Sequence, residues 1–252
     1  MSIHPLLKKS LIQGPVLKII SGITNVDPNR VAAVVRAADQ GGATFVDIAA
    51  QPALVHLTRQ LTQLPICVSA VKPQQLAAAV DAGADWVEIG NFDAFYAQGR
   101  RFEADEVLEL TRQTRALLPS VCLSVTVPHI LELSEQVHLA EQLVESGADM
   151  IQTEGGTTSH PIHSGTLGLI EKAAPTLASA YEISRAVSVP ILCASGLSNV
   201  TIPMAIAVGA AGVGVGSAIN RLNSEVAMVA VVRSLVESMK QGQLTPSFRG
   251  CT

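Results

Sequence analysis

The sequence has few aromatic and few charged residues. Of its 252 residues, 3% are aromatic and 15% are charged, whereas 48% are hydrophobic. A core of this composition depends on small aliphatic side chains, which suit helices packed closely over a parallel sheet. The length is sufficient for one large α/β domain. We predict a single domain over residues 1–252, with peripheral segments at 1–13 and 241–252.

Basic runs are also absent, and the net charge is −4. This charge pattern favours neither a nucleic-acid partner nor an anionic membrane surface. The start of the chain has two lysines but no long apolar core, so it does not indicate a signal peptide. The stretch between Arg185 and Arg221 carries no charge, but prolines and five glycines interrupt it. We therefore expect no membrane span.

Cysteines are few, and their spacing excludes a cysteine-based metal site. The four cysteines are Cys67, Cys122, Cys193 and Cys251, and no two have metal-ligand spacing. The first three lie in apolar runs, where cysteine behaves as a small hydrophobic residue. We predict structural thiols in a reducing compartment and no bound metal.

Two kinds of segment alternate along the chain. One kind has a Gly-Ala pair before a short apolar strand, and it occurs at 41–50, 82–92, 146–156 and 208–218. The other has a proline before five to eight strand-forming residues, and it occurs at 14–24, 64–73, 118–128 and 189–198. Glycine suits the C-terminal cap of a helix, and proline suits the start of a strand. The pattern predicts eight strands.

Helical patterns fill the gaps between these strands, as at 29–40, 73–82, 103–118, 134–146 and 223–240. Alternation of strands and helices on this scale indicates parallel βα units. Eight such units in about 240 residues predict a (β/α)8 TIM barrel. A doubly wound open sheet is the alternative, although it gives no reason for the fourfold alternation.

Residues 209–219, GAAGVGVGSAI, suggest a dinucleotide-binding loop at first sight. The spacing G-x-G-x-G and the position near the end of the chain do not fit that motif. In barrels, the loops after the seventh and eighth strands commonly bind phosphate through backbone N–H groups. Glycine and serine occur at both loops. The predicted phosphate-binding residues are Ser195, Gly196, Leu197, Ser198, Gly216 and Ser217.

Two resemblances follow from these segments. The span 190–219 is similar to the phosphate-binding half of the histidine- and tryptophan-biosynthesis barrels and the flavin-nucleotide barrels, with Leu197 where a second glycine is common. The whole chain resembles the hypothetical chloroplast reading frame 23 family of cyanobacteria and plastids. KIISGITN (18–25), FVDIAAQP (45–52), EIGNFDAFYAQGR (88–100) and QTEGGTTS (152–159) carry this resemblance. It implies a barrel in the cyanobacterial cytoplasm or the plastid stroma, and it supplies no catalytic residues.

Two lysines are candidates for catalysis, because active sites of barrels lie at the C-terminal ends of the strands. Lys18 lies within the first strand, and Lys72 lies at the end of the third. A lysine in an apolar barrel mouth has a lowered pKa and can form an imine or act as a base. A buried Lys18 needs an anion, which Asp47 and Glu88 could supply from equivalent positions of the repeat. Strand register decides whether these three side chains meet in the lumen.

The loop at 153–168 is long for a βα connection and rich in Gly, Ser, Thr and His. Such loops often act as lids or binding loops. Glu154 is the best candidate for a general acid or base, followed by His160 and His163. Further polar residues at the rim of the predicted barrel are Asn91, Asp93, Thr126 and His129.

These residues favour two hypotheses. The first is an isomerase or lyase that acts on a small phosphorylated metabolite. The second is a non-catalytic or regulatory barrel that binds a phosphorylated ligand or flavin mononucleotide (FMN). FMN ranks lower because few aromatic rings are available to stack on isoalloxazine. No other cofactor is predicted.

The composition of the predicted seventh helix leads to a prediction about assembly. Its residues, NVTIPMAIAVG (199–209), carry no charge, although barrel helices normally have a polar outer face. We predict that a neighbouring subunit of a homo-oligomer or the C-terminal tail covers it.

Overall fold

The computed structural model describes residues 11–243 except 97, 157 and 158, with side chains up to residue 241. Eight parallel strands close into a barrel in sequence order. They are Val16–Gly22 (β1), Phe45–Ala49 (β2), Ile66–Ala70 (β3), Trp86–Ile89 (β4), Cys122–Thr126 (β5), Met150–Gln152 (β6), Ile191–Ala194 (β7) and Gly212–Val215 (β8). The predicted (β/α)8 barrel is confirmed, and the doubly wound sheet is excluded.

Helices surround the barrel. In the described part of the chain they are Pro28–Gly41 (α1), Pro52–Leu61 (α2), Pro73–Asp81 (α3), Asp93–Tyr96 (α4), Ala104–Leu117 (α5), Leu133–Glu145 (α6), Gly165–Ala186 (α7), Ile202–Ala207 (α8), Ser217–Asn220 (α9) and Glu225–Gln243 (α10). Proline begins α1, α2 and α3, where its missing N–H costs nothing. None of the described helices combines the length and apolar character that a bilayer crossing requires.

The Gly-Ala pairs end the helices that precede the even-numbered strands. Gly42, Gly83, Gly147 and Gly209 have φ values of 86°, 105°, 98° and 108°, in the left-handed region that favours glycine. The alanine after each glycine donates its backbone N–H to a carbonyl in the last turn of the helix, as Ala43 does to Ala38 at 2.9 Å. The predicted capping role of these glycines is confirmed.

The uncharged helix α8 is partly covered within the same chain. Helix α10 packs along both α8 and α1. Ile202 and Ala205 are buried, and Pro203, Met204 and Ile206 are partly buried. A long helix of the chain itself therefore covers part of α8, and additional cover by a neighbouring subunit or the tail at 241–252 stays a prediction. A homo-oligomer stays a prediction, and residues 1–10 and 244–252 lie outside the described residues.

The barrel interior begins with an apolar layer at the N-terminal ends of the strands. Val16, Phe45, Cys67, Trp86, Cys122, Met150 and Leu192 form this layer. The Phe45 and Trp86 rings meet edge to face, with their centroids 4.3 Å apart. Cys67, Cys122 and Cys193 are buried free thiols, which confirms their structural role, whereas Cys251 lies outside the described residues.

Of the three glycines Gly212, Gly214 and Gly216, the first two lie in β8 and make room for neighbouring side chains. A Cβ added at Gly212 would lie 2.4 Å from Val16 Cγ2, and one at Gly214 would lie 2.9 Å from Ala194 Cβ. Side chains of β1 and β7 fill the space beside Gly214. Gly216 alone of the three lies at the barrel mouth.

Replacing Gly214 by alanine tests this packing. The added methyl group would also lie 3.0 Å from Ile20 Cδ1. We expect Gly214→Ala to lower the free energy of unfolding by about 1–3 kcal/mol, the usual cost of overpacking a core. Urea unfolding followed by circular dichroism measures the change.

Gly216→Ala is the matched control, because a Cβ there would meet no atom closer than 3.3 Å and its φ is −118°. The double variant Gly214→Ala/Ala194→Gly removes the closest contact and should recover part of the lost stability. Equal stability of Gly214→Ala and Gly216→Ala would contradict the packing role.

Candidate functional site

A cavity of about 200 Å³ opens at the C-terminal ends of the strands. Its wall combines turns that follow β1, β4, β6, β7 and β8. The residues that line it are Ile20, Gly22, Ile23, Thr24, Asn91, Asp93, Ala94, Gln152, Thr153, Glu154, Ala194, Ser195, Gly196, Leu197, Val215, Gly216, Ser217 and Asn220. The cavity therefore lies where (β/α)8 barrels carry their active sites.

The predicted phosphate-binding residues form one side of this cavity, with one exception. Ser195, Gly196 and Leu197 line it from the turn after β7, and Gly216 and Ser217 line it from the turn after β8. Ser198 is not among the lining residues. Its backbone N–H donates to Thr201 Oγ1 at 2.9 Å, and its carbonyl accepts from Thr201 and Ile202 at 3.0 Å. Ser198 therefore forms its hydrogen bonds with the first turn of α8.

Strained backbone occurs on two sides of the cavity. Asn91 and Ser195 have φ values of 60° and 71°, and they are the described non-glycine residues with positive φ. Such conformations cost about 1–3 kcal/mol each and cluster at functional sites. The Ser195 hydroxyl donates to Asp93 Oδ2 at 2.7 Å, so the turn after β7 is tied to the turn after β4.

The opposite wall is built around Glu154, which is 3% exposed. Its Oε1 accepts from the Tyr96 hydroxyl at 2.6 Å and from the His129 backbone N–H at 3.2 Å. The His129 Nδ1 lies 3.1 Å from the same oxygen and 3.7 Å from Asp93 Oδ1. The Asp93 backbone N–H donates to Glu154 Oε2 at 3.3 Å. Turns after three strands thus bring two carboxylates, an imidazole and a phenol together.

Burial and mutual contact change the acidity of these groups. Burial raises the pKa of Glu154, although the hydrogen bond from His129 opposes the shift. Burial alone would lower the pKa of His129, but its hydrogen bond to Glu154 and the charge of that carboxylate raise the pKa above its usual value. Burial and the Glu154 charge raise the pKa of Tyr96. The wall therefore combines titratable groups whose pKa values are shifted by burial and by one another, as is common at functional sites.

Below the cavity, Lys18 forms a fully buried ion pair. Its Nζ donates to Glu88 Oε2 at 2.5 Å and lies 3.8 Å from Asp47 Oδ2, and all three side chains are 0% exposed. The structure therefore brings Lys18, Asp47 and Glu88 together in the lumen. Lys18 lies opposite Gly214 in the strand register, beside a position without a side chain.

Hydroxyl and amide groups complete this buried layer. Ser69 donates to Asp47 Oδ1 at 2.6 Å, and Ser124 donates to Glu88 Oε2 at 3.2 Å. Gln152 Nε2 donates to Glu88 Oε1 at 2.7 Å, and the Thr126 hydroxyl lies 3.5 Å from the same oxygen. Thr126 therefore belongs to the buried layer and not to the open rim.

Neither candidate lysine lines the cavity. Lys18 lies beneath Asn91 and Gln152, which form part of the cavity wall. Burial alone would lower its pKa, but the charges of Glu88 and Asp47 outweigh burial and raise it. Lys72 is exposed, at the residue before α3. The expectation of a lowered pKa was wrong for Lys18, because this lysine is paired with carboxylates.

The two histidines of the loop after β6 also lie away from the cavity wall. His160 and His163 are exposed. The His163 Nδ1 lies 2.6 Å from Glu171 Oε1, so this imidazole pairs with the following helix. Neither histidine is among the residues that line the cavity, so their role as candidates after Glu154 stays a prediction. His129, after β5, is the histidine that contacts Glu154.

Sequence analysis missed Tyr96, Ser69 and Ser124. Tyr96 lies in FDAFY (92–96), which contains a helix of four residues. A helix this short is not revealed by the spacing of hydrophobic residues. Ser69 and Ser124 lie at strand positions next to Glu88 in the barrel register. Their alignment with the repeat positions Asp47 and Glu88 is the signal that could have indicated them.

Removing the buried cation tests the Lys18 ion pair. Lys18→Met leaves Asp47 and Glu88 buried without their counter-charge, and breaking a buried pair costs about 3–5 kcal/mol. We expect a corresponding loss in the free energy of unfolding, measured by urea denaturation. The double variant Lys18→Met/Glu88→Gln removes both charges and should be more stable than the single variant. A double variant that is no more stable would contradict the pairing.

The acidity of Asp47 predicts a pH dependence of stability. Burial raises the pKa of Asp47 from 3.8 to about 6, although Lys18 opposes the shift. Between these values the folded state binds more protons than the unfolded state, so the free energy of unfolding falls as the pH rises. We expect Asp47→Asn to reduce this slope between about pH 4 and pH 6, measured by urea denaturation at each pH. The exposed Asp81→Asn is the control, and an equal reduction in both variants would contradict the prediction.

Comparison with known proteins places the chain in a family. The sequence profile described as "Protein of unknown function (DUF561)" matches residues 2–245. The "Uncharacterized protein ycf23" of Cyanophora paradoxa is 42% identical over 230 residues, which cover 89% of this chain and 93% of the relative. The ycf23 protein of Porphyra purpurea is 41% identical over 213 residues, which cover 84% of this chain and 80% of the relative.

Solved structures share the fold at low sequence identity. (S)-3-O-geranylgeranylglyceryl phosphate synthase from Thermoplasma acidophilum, in complex with sn-glycerol-1-phosphate, gives a TM-score of 0.63 at 13% identity and covers 96% of this chain and 99% of that one. 3-Hexulose-6-phosphate synthase gives a TM-score of 0.61 at 14% identity and covers 88% of this chain and 99% of that one. At these identities the likeness shows the fold alone. The profile match and the relatives above 40% identity show that the chain belongs to the DUF561 family, together with the ycf23 proteins.

Proposed function

We propose that this protein binds a small phosphorylated metabolite in the barrel mouth and catalyses its isomerisation or cleavage. The observation that carries the proposal is a single cavity bordered by two different walls. On one side lie the Gly/Ser turns after β7 and β8, and on the other lie Asp93 and Glu154. A ligand held at one wall presents its adjacent carbons to the other.

The first wall supplies the features that phosphate recognition needs. Gly196 has a φ of 75°, and its turn passes close enough to Gly156 that an added Cβ would lie 2.7 Å from Gly156 Cα. Only glycine allows this close approach at a positive φ, and turns of this kind can direct backbone N–H groups at an anion. Gly216 precedes the short helix α9, and Ser217 adds a hydroxyl donor. Similar barrels whose names include a phosphorylated compound are the two synthases above and a thiamine phosphate pyrophosphorylase.

The second wall supplies the reacting groups. Glu154 is buried, lines the cavity and contacts both Tyr96 and His129. A buried carboxyl in such contacts is suited to promote proton transfer at a carbon next to a carbonyl group. Lys18 and Lys72 have no part in this reaction, so the proposal involves no imine.

The cavity floor indicates a ligand with a hydroxyl group. Gln152 Nε2 donates to Glu88 Oε1, which fixes the orientation of the amide and turns Oε1 away from the carboxylate. That Oε1 is buried and has no hydrogen-bond partner among the described residues, although Gln152 lines the cavity. A buried acceptor without a donor is costly, so a ligand hydroxyl would stabilise it.

The cavity volume favours a small metabolite over FMN. About 200 Å³ lies below the roughly 300–1,000 Å³ that drug-sized ligands occupy. The alternative function, a non-catalytic barrel that binds the same phosphorylated ligand, rests on the same turns and differs only in the role of Glu154. The proposal also includes a location in the cyanobacterial cytoplasm or the plastid stroma.

Ligand binding tests the phosphate wall. We expect glycerol phosphate to bind more tightly than inorganic phosphate, because only the former offers a hydroxyl to Gln152. Ser217→Ala should weaken binding by about 2–10-fold, the range for one lost hydrogen bond. Isothermal titration calorimetry measures both effects. Ser198→Ala is the matched control because its side chain serves α8, and equal weakening in both variants would contradict the site.

Hydrogen exchange separates the enzyme from the binding protein. We expect wild-type protein, incubated in D2O with a panel of ketose and aldose phosphates, to exchange a carbon-bound hydrogen, detected by NMR. Glu154→Gln should slow this exchange by about 10²–10⁴-fold, the usual contribution of acid–base groups. The same variant should still bind glycerol phosphate. Binding without exchange of any panel member would favour the non-catalytic alternative.

A further inference from the structure

We propose that Asp93, His129 and Glu154 form a binding site for one divalent transition-metal ion in the second wall of the cavity. Each residue offers one ligand atom, and these atoms all lie within 4.8 Å of one another. Any reaction that the ion would assist rests on the proposed function. Binding of the ion is independent of the proposed function and is measured without substrate.

The spacing of the three groups suits one ion. His129 Nδ1 lies 3.1 Å from Glu154 Oε1 and 3.7 Å from Asp93 Oδ1. Ligands held at about 2.0–2.2 Å from a metal lie roughly 3–4 Å from each other. Small side-chain rotations are therefore enough to place all three atoms around one centre. The groups come from turns after β4, β5 and β6, so the barrel itself fixes their separation.

The charge balance of the wall points to a cation. The side chains of Asp93 and Glu154 are 13% and 4% exposed. Among the residues that the structure describes, neither carboxylate forms an ion pair with a lysine or arginine. Two adjacent carboxylates with little access to water need a compensating positive charge. A metal ion would supply it, and a protonated His129 is the competing explanation.

An unpartnered oxygen supports the same conclusion. Asp93 Oδ1 is buried and has no hydrogen-bond partner in the described part of the chain. The other Asp93 oxygen accepts from Ser195 at 2.7 Å, which orients the carboxylate with Oδ1 near His129. The Tyr96 hydroxyl donates to Glu154 Oε1 at 2.6 Å and so holds the oxygen that lies 3.1 Å from His129 Nδ1. Metal ligands are typically oriented by such outer hydrogen bonds.

The donor set selects the class of ion. Two carboxylates and one imidazole suit Mn²⁺, Fe²⁺ or Zn²⁺ better than Mg²⁺, which prefers oxygen ligands. Asp93 and Glu154 both line the cavity, so part of the coordination sphere faces the space where the ligand would lie. A site with three protein ligands and an open side is typical of catalytic metals. The ion would polarise a carbonyl or hydroxyl oxygen of the bound metabolite.

Direct titration with Mn²⁺ tests the proposal. Protein freed of metal with a chelator is titrated with MnCl2, and electron paramagnetic resonance measures the free ion. We expect one ion per chain and weaker binding in Asp93→Asn and in His129→Gln. Since loss of one outer hydrogen bond costs about 10–100-fold in metal affinity, loss of a ligand should cost at least about 100-fold. Co²⁺ should give visible absorption bands that His129→Gln changes.

His163→Gln is the matched control, because His163 forms an exposed imidazole–carboxylate pair with Glu171. It should bind Mn²⁺ as the wild type does. The proposal is overturned if wild-type protein binds no Mn²⁺, or if Asp93→Asn and His129→Gln bind it with unchanged affinity. Equal loss of affinity in His163→Gln would assign the ion to the surface and overturn it as well. Circular dichroism of each variant verifies that it is folded.

Phosphorus NMR separates this proposal from the proposed function. Glycerol phosphate is titrated into metal-free protein, and Mn²⁺ is added afterwards. Broadening of the phosphorus resonance on addition of Mn²⁺ to wild type, but not to Asp93→Asn, would place both ligands in one cavity. Mn²⁺ binding without phosphate binding would overturn the proposed function alone, and phosphate binding without Mn²⁺ binding would overturn the metal site alone.

Discussion

The buried ion pair between Lys18 and Glu88 is the interaction on which the interior of the barrel depends. A charge transferred from water into a protein interior costs several kcal/mol unless partners compensate it. Lys18 is compensated by Glu88 at 2.5 Å and by Asp47 at 3.8 Å. Each carboxylate in turn needs donors, which Ser69 and Gln152 supply. One lysine in the first strand therefore determines the polar character of the layer above Phe45 and Trp86, and it does so through five different strands.

This layer also decides what the cavity can do. Lys18 stays protonated because carboxylates surround it. Asn91 and Gln152 lie between this lysine and the cavity. Acid–base chemistry in the cavity therefore depends on titratable groups of the turns above this layer. Among Asp93, His129 and Glu154, the side chain of Glu154 is the most buried. Asn91 and Gln152 belong to both levels, since their amide nitrogens donate to the carboxylates of the layer while the residues line the cavity. The electrostatic layer thus provides the floor of the site.

The parts of this structure that depend on local chemistry could be predicted from the sequence. The left-handed φ of Gly42 ends a helix, and the proline before β1 marks the start of a strand. Both are local features that recur along the chain, so the repeat predicted the eight strands. The equivalence of Asp47 and Glu88 in the repeat indicated a shared lumen network for Lys18. Contacts that depend on loop paths could not be predicted. The pairing of Tyr96 with Glu154 joins residues 58 positions apart through a turn without periodicity. The pattern of hydrophobic residues gives no information about such a path.

The two walls of the cavity are mechanically connected, and this connection follows from a strained residue. Ser195 belongs to the predicted phosphate-binding turn, and its φ of 71° directs its hydroxyl to Asp93 on the opposite wall. A ligand that orders the turn after β7 would therefore also fix the Asp93 carboxylate. Asp93 Oδ1 has no hydrogen-bond partner among the described residues, and a cation beside it would compensate that oxygen. The proposed anion and cation carry opposite charges in one cavity and are connected by the hydrogen bond from Ser195 to Asp93, so their binding should be mutually favourable.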